Sequence, residues 1–170
     1  MSNIKKVHGV AETRVEMTEV VLPQFTNSLG NVFGGQIVSW IDICAAVAAQ
    51  RHCRQVVVTA SIDELHFIEP VKQGDVVILK GQINAAFNTS MEIGVTVDSE
   101  DPLTGERRKA VKAYLTYVAL DRHGRPQKVP PLDLNGDDDK RRNTDAKDRR
   151  QSRLNQRAER IKSRASSGRS

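Results

Sequence analysis

The segment Asn27–His52, NSLGNVFGGQIVSWIDICAAVAAQRH, constrains this chain more than any other. Between Ile37 and Ala49 the only polar side chains are Ser39 and Asp42. A helix apolar on nearly every side is a buried one, so the spacing predicts a long central helix with the other elements wrapped around it. Asp42 is its single charged group. At 100° per residue, Gly35, Val38, Ser39, Ala45, Ala46 and Ala49 fall within about 60° of it, a face of small residues. A lone carboxylate on such a face is costly unless it is paired, reached by water or protonated. It is therefore either satisfied by a neighbouring donor or held for chemistry.

The residues ahead of the helix weigh toward chemistry. Asn27-x-x-Gly30-Asn31-Val32-Phe33-Gly34-Gly35 reads as a turn running into a helix whose first turn holds Gly34 and Gly35. Glycines there let a ligand approach the unpaired N–H groups, and the positive end of the helix dipole favours an oxygen that is becoming negative. A Gly-Gly pair alone is an ordinary loop-to-helix junction. Joined to a carboxylate two turns further in and an amide before the loop, it supplies an oxyanion donor, a base or nucleophile, and a positioning group for one reaction.

These residues and several later fragments resemble the hotdog-fold acyl-CoA thioesterases, in particular the cytosolic acyl-CoA hydrolases related to the brain-type enzyme. The likeness runs from about Glu16 to Leu132. It takes in the Asn27–Gly35 stretch, Trp40-Ile-Asp42, Arg51-His52-Cys53, Val58-Thr-Ala-Ser-Ile-Asp63, Phe67-Ile-Glu-Pro70, Gly74-Asp75-Val76, Thr89-Ser-Met-Glu-Ile93 and Val129-Pro-Pro-Leu132. The resemblance implies hydrolysis of acyl-CoA to fatty acid and coenzyme A without a cofactor. It places Asn27 and Asp42 on the family's catalytic pair, meeting across a dimer interface. It also implies a homo-oligomer, a dimer of hotdogs assembled as a trimer of dimers. Thr89 and Ser90 fall where the coenzyme phosphates lie. Where relatives carry a basic residue before that pair, this chain has Asn88, so Arg107, Arg108, Lys109 or the basic tail is expected to hold the phosphates.

The rest of the chain fits one α+β domain, an antiparallel sheet around the helix. Residues 1–14 are polar and expected to be loosely held. Val15–Leu22 reads as a first strand stopped by Pro23. Strands follow from Val56, from Val76 to Phe87, through Met91, Ile93, Val95 and Val97 with Glu92, Gly94, Thr96 and Asp98 facing away, and from Arg108 to Asp121. Asp101–Gly105 is a hairpin turn. His52 is expected to close the helix rather than act as a base. The domain, 15–134, holds 14 Lys and Arg against 15 Asp and Glu when counted with the N-terminal segment, net −1, while 135–170 holds 12 against 6, net +6. The high pI therefore belongs to the tail. Leu154, Ala158, Ile161 and Ala165 recur at helical spacing there, a thin seam on a solvated, partly helical or disordered arm that docks on a neighbouring subunit.

Several classes are disfavoured. Cys44 and Cys53 do not make a disulfide framework, which suits reduced thiols in the cytoplasm. No secretory leader or membrane-spanning run is expected. His8, His52, His66 and His123 lack metal-ligand spacing, and no Gly-x-Ser-x-Gly elbow occurs. The alternative from another class is a non-catalytic acyl-CoA-binding regulator with a tail touching nucleic acid. That tail has charge for phosphates but no aromatic residues for base stacking, so nucleic acid is not expected as a partner.

Overall fold

The structure, a computed structural model, describes residues 8–167. The element order is β1 (His8–Gly9), α1 (Val10–Thr13), β2 (Val15–Val20), a short 3-10 turn Pro23–Phe25, α2 (Gly34–Cys53), β3 (Val56–Phe67), β4 (Val76–Ala86), β5 (Ser90–Glu100), β6 (Arg107–Leu120), β7 (Leu132–Asp133) and α3 (Asp137–Ser167). Five strands form one antiparallel sheet in the order β2-β4-β5-β6-β3, and β1 pairs with β7 in parallel. Residues 1–7 of the N-terminal segment lie outside the described residues. The part that is described is not loose, because Val10 and Thr13 of α1 are buried.

Period-two burial explains how the sheet closes over α2. Leu79 and Ile83 of β4, Met91, Ile93, Val95 and Val97 of β5, and Ala113, Leu115 and Tyr117 of β6 all turn to one face. There they meet Ile37, Trp40, Ile41, Cys44, Ala45 and Ala48 of α2. Each large aliphatic side chain buried this way contributes about 1.5–3 kcal/mol. The helix is not covered all round: Phe33 at its N-cap is 53% exposed and Ile43 is 50% exposed. Exposed apolar side chains also line β3, where Val56, Val58 and Ile62 are 63%, 44% and 42% exposed. Strand β3 is twelve residues long and stands at the sheet edge with one side unpaired. A long apolar edge of this kind is a template for another strand.

The tail departs from a weakly ordered arm. Residues 137–167 form one helix that crosses the outer face of the sheet, opposite α2. Its docking side is polar. Asn143 Nδ2 donates to Asn84 O at 3.0 Å, Arg149 forks onto buried Glu92 at 2.6 and 3.2 Å and stacks on the Tyr114 ring at 3.7 Å, and Arg153 pairs with Asp63. Buried Ala146 fills the space between these anchors. Asn84 Nδ2 also donates to Glu92 Oε1 at 3.1 Å. Gly94 makes room for that amide, since a Cβ there would lie 2.7 Å from Asn84 Nδ2. Gly94→Ala is therefore expected to displace Asn84 from the buried Glu92–Arg149 pair and to cost about 1–3 kcal/mol. In thermal unfolding that is a fall in Tm of roughly 3–10 °C. An unchanged Tm would mean that the amide has room to move.

Candidate functional site

Asp42 sits two turns into α2, half-buried, with its carboxylate turned to the sheet. Two hydroxyls hold one of its oxygens. Thr59 Oγ1 donates to Oδ1 at 2.8 Å, and the Tyr117 hydroxyl donates to Oδ1 at 2.5 Å while lying 2.7 Å from the Asp42 carbonyl oxygen. Oδ2 has no protein partner among the described residues. The carboxylate is thus fixed in orientation with one oxygen free to act. Burial, reinforced by the hydrogen bond to Asp42, pushes the Tyr117 phenol well above its ordinary range, so it remains a donor. If Asp42 carries the chemistry, Tyr117→Phe is expected to lower kcat about tenfold with KM little changed, because it loosens the Asp42 carboxylate and not the groove beside Phe67. A steady-state assay separates the two parameters, and a changed KM alone would reassign Tyr117 to substrate binding.

Thr59 reaches Asp42 because it pairs with Tyr117, and the two share the face of β3 and β6 turned to α2. Ser61 pairs with Thr116, so Ala60 is an extra residue, and this one-residue insertion turns Ser61 outward with Thr116. There Ser61 Oγ and Thr116 Oγ1 donate to Asp63 at 2.6 and 3.1 Å, beside Arg153 of α3. The sequence reading placed Val58-Thr-Ala-Ser within a shared fragment but gave Thr59 and Tyr117 no role. Alternation gives each a face but no partner, and their contact with Asp42 exists only once β3, β6 and α2 are packed together.

At the other end of α2 the loop is held by its own amide. Asn27 Oδ1 accepts from Leu29 N at 2.9 Å and Asn31 N at 3.2 Å, which leaves Nδ2 as the group available to a ligand. The first intrahelical bonds run from Gln36 and Ile37 N to Phe33 O, so the N–H groups of Gly34 and Gly35 precede them at an exposed helix start. Phe67 lies over Gly34, where a Cβ would stand 3.2 Å from its ring. Phe67, Ile68, Pro70, Val71 and Ile37 line a groove of about 380 Å³ that runs beside Gly34. The expected partners are not all brought together within one chain. Gly34 and Asp42 are eight residues apart on one helix, about 12 Å of rise. Base and oxyanion donors acting on one carbonyl must each come within about 3 Å of it.

Thr89 and Ser90 form the β4–β5 turn, with Thr89 O accepting from Ala119 N and Ser90 pairing with Val118, next to Tyr117. Arg107 and Arg108 lie at the opposite end of β6, ten residues from Val118, or about 33 Å. Arg107 pairs with Glu100, and Arg108 lies 3.6 Å from Asp75. One chain therefore does not place these arginines beside Thr89 and Ser90. His52 is buried in the last turn of α2 beside Arg51, as expected, and its Nε2 meets Pro130 O at 2.9 Å, a tether to the segment before β7. The helix ends on Arg54 in the left-handed region, with Arg54 N donating to Gln50 O. Burial pushes the Cys44 thiol up to about 11, which leaves it inert as a nucleophile at neutral pH. Among the described residues no His, Cys, Asp and Glu side chains group to hold a metal, and no helix is long and apolar enough to cross a membrane.

Known proteins share this sequence pattern and fold. The thioesterase superfamily model matches residues 29–106. The uncharacterized acyl-CoA thioester hydrolase YkhA of Bacillus subtilis is 43% identical over 119 residues, 70% of this chain and 69% of that protein. The cytosolic acyl coenzyme A thioester hydrolase of Mus musculus is 34% identical over 82% of this chain, which spans 37% of that longer protein. An apo-hexameric acyl-CoA thioesterase superposes with a TM-score of 0.86 at 38% identity, over 90% of this chain and 98% of that one. The acyl-CoA hydrolase of Staphylococcus aureus, solved with butyryl coenzyme A, coenzyme A and coenzyme A disulfide, superposes with a TM-score of 0.86 at 31% identity, over 96% and 100%. Alanine variants of that enzyme at an aspartate, an asparagine and a threonine superpose with TM-scores of 0.85, 0.88 and 0.85 at 32%, 30% and 32% identity. They cover 92%, 98% and 93% of this chain and 96%, 99% and 98% of theirs.

Proposed function

This chain belongs to the thioesterase superfamily as an acyl-CoA thioester hydrolase, and we propose that it cleaves acyl-CoA to a free fatty acid and coenzyme A with Asp42 as the acting group. The observation that carries the reading is the Asp42 carboxylate, oriented through Oδ1 by Thr59 and Tyr117 and open at Oδ2. The three residues replaced in the Staphylococcus aureus variants have the same mutual spacing as Asn27, Asp42 and Thr59 here, which supports the assignment.

Hydrolysis needs an activated water, or a nucleophile in its place, and a receiver for the oxyanion. Thiolate leaves readily, so a strong general acid is not required. In the first route Asp42 Oδ2 takes a proton as water adds to the carbonyl carbon. The C–S bond then breaks and the thiolate leaves to be protonated. In the second route Oδ2 itself adds to the carbonyl carbon, the C–S bond breaks as the thiolate leaves to be protonated, and water then cleaves the resulting mixed anhydride, returning the Asp42 carboxylate. A single turnover in ¹⁸O-water separates them, since only the second leaves label exchanged through the Asp42 side chain. The oxyanion is received by the Gly34 and Gly35 N–H groups, and Asn27 Nδ2 holds the water or the thioester oxygen. The groove beside Phe67 takes the chain next to the thioester.

Because one helix separates Gly34 from Asp42 by about 12 Å, a complete site draws its two halves from two chains. The β3 edge with Val56, Val58 and Ile62 is the surface on which a second copy adds its own β3, giving the homo-oligomer. Thr89 and Ser90 lie toward the coenzyme phosphates, with Arg107 and Arg108 reaching them only from another subunit. A cytoplasmic setting fits the free thiols of Cys44 and Cys53 and the name of the mouse relative. Thiol release from butyryl-CoA and palmitoyl-CoA is the test. Release from at least one is the expected result, and none from either or from intermediate lengths would remove the proposal.

A further inference from the structure

The β4–β5 hairpin turns on Asn88 and Thr89, and Phe87 N donates to Ser90 O at 2.8 Å, so Phe87 and Ser90 stand opposite each other. Residues paired this way carry their side chains on one face, with Cβ atoms about 5 Å apart. That face is the outer one, because Met91 is buried in the core and Ser90 and Glu92 alternate with it. Helix α3 lies on the same face, and Arg150 places its guanidinium 4.5 Å from the centre of the Phe87 ring. Arg150 differs from its neighbours on the helix. Arg142, Arg149 and Arg153 each hold a carboxylate, Asp138, Glu92 and Asp63 in turn. Among the described residues none pairs with Arg150, which is half-buried and meets the ring alone. Contact with an aromatic face holds a guanidinium without using its N–H groups, and those groups fit phosphate oxygens in pairs. The turn also ends the sheet beside the acting carboxylate: Ser90 pairs with Val118, next to Tyr117, whose hydroxyl donates to Asp42.

We propose that Arg150, steadied on Phe87, receives a phosphate of coenzyme A together with the Ser90 hydroxyl, in the same chain as the Asp42 that acts on the thioester. Asn88 gives this turn no charge, and Arg107 and Arg108 stand at the far end of β6, each beside a carboxylate. Arg150 is the cation that the fold itself brings to the turn, from a helix more than fifty residues further along the chain. The ligand it fits is a phosphate ester on a long arm. The thioester lies on the α2 face of the sheet, and the pantetheine chain passes the end of the hairpin to the outer face. The bland alternative is an arginine that only covers Phe87, which makes the same ring contact and holds no phosphate. The inference rests on the acyl-CoA reading of the Asp42 site and adds to it the residue that holds the coenzyme half of the substrate.

Arg150→Gln in the full chain is expected to weaken coenzyme A binding about tenfold in isothermal titration, the size of one charge-assisted contact. Arg160→Gln removes the same charge from an exposed position of the same helix and is expected to change the affinity by less than about twofold. In thiol release, Arg150→Gln is expected to raise KM for butyryl-CoA by about the same factor as the affinity falls, with kcat little changed, since the contact is equal in ground and transition states. Butyryl-pantetheine carries no phosphate, so its kcat/KM is expected to be the same in variant and parent. Asn143, Arg149 and Arg153 keep α3 docked, so the fold is retained, which circular dichroism checks. An unchanged affinity for coenzyme A in Arg150→Gln overturns the assignment. So does an equal weakening in Arg160→Gln, which marks a diffuse field, or an equal loss with butyryl-pantetheine, which marks a structural role. Binding of coenzyme A through Arg150 without thiol release from any acyl-CoA supports this inference and overturns the hydrolase reading alone. A chain that does not bind coenzyme A overturns both.

Discussion

Asp42→Ala is expected to lower kcat for thiol release by about 100-fold or more while the protein keeps its fold. The size follows from its place: removing a base or nucleophile typically costs at least that factor, and no other carboxylate shares the Thr59 and Tyr117 donors. The fold survives because the site is half-exposed and the Tyr117 hydroxyl keeps a second acceptor, the backbone carbonyl of residue 42, which alanine retains. Stability therefore changes by no more than about 1 kcal/mol, and truncating an isolated carboxylate on a small-residue face can raise it. Asp42→Asn tests the charge separately. It preserves shape and can still accept from Thr59, so its inactivity would isolate the missing negative oxygen as the cause. Thr59→Ala should lie between, near the tenfold expected for Tyr117→Phe. More than about a tenth of wild-type turnover in Asp42→Ala, at unchanged circular dichroism, would take the chemistry away from this residue.

The sequence made the central helix and the five strands of the sheet legible, because their signals are local. Continuous apolar character from Ile37 to Ala49 announces α2, and alternation of Met91, Ile93, Val95 and Val97 announces the core face of β5. Strand ends shifted by a residue or two, as where β2 ends at Val20 before Pro23. Two features were out of reach for physical reasons. The bulge at Ala60 turns Ser61 outward to Asp63, and it exists only in the pairing with β6. The tail was read by its apolar residues, Leu154, Ala158 and Ile161, which turn out to be exposed. Its docking face is instead Asn143, Ala146, Arg149 and Arg153, a polar stripe whose spacing has meaning only beside Asn84, Glu92 and Asp63. Of those partners Glu92 is on a strand position read as facing away from the core. It faces α3 and is fully buried under it. The tail's arginines are thereby partly committed inside the chain, which leaves fewer to meet coenzyme phosphates than composition suggests.

Mixing two inactive variants, Asn27→Ala and Asp42→Ala, is expected to restore about a quarter of wild-type activity. The argument starts from the helix. Asn27 precedes α2, the Gly34–Gly35 donors open it, Asp42 lies eight residues further in, and both Ile43 beside it and the β3 edge are exposed. If each site takes its loop from one chain and its carboxylate from the other, a two-fold dimer has two such sites. In a mixed dimer one site combines both defects and is dead. The other combines the intact Asn27 with the intact Asp42. Random reassortment of equal amounts makes half of the dimers mixed, each with one working site of two. Sites contained within single chains predict a different number, since every chain then carries a defect and recovery is nil. Subunit exchange must first be shown with labelled protein, because a kinetically locked oligomer would hide the effect. The return of thiol release along the time course of exchange is the decisive reading. Complete exchange with activity still at background would place Asn27 and Asp42 in one chain or remove Asn27 from the site.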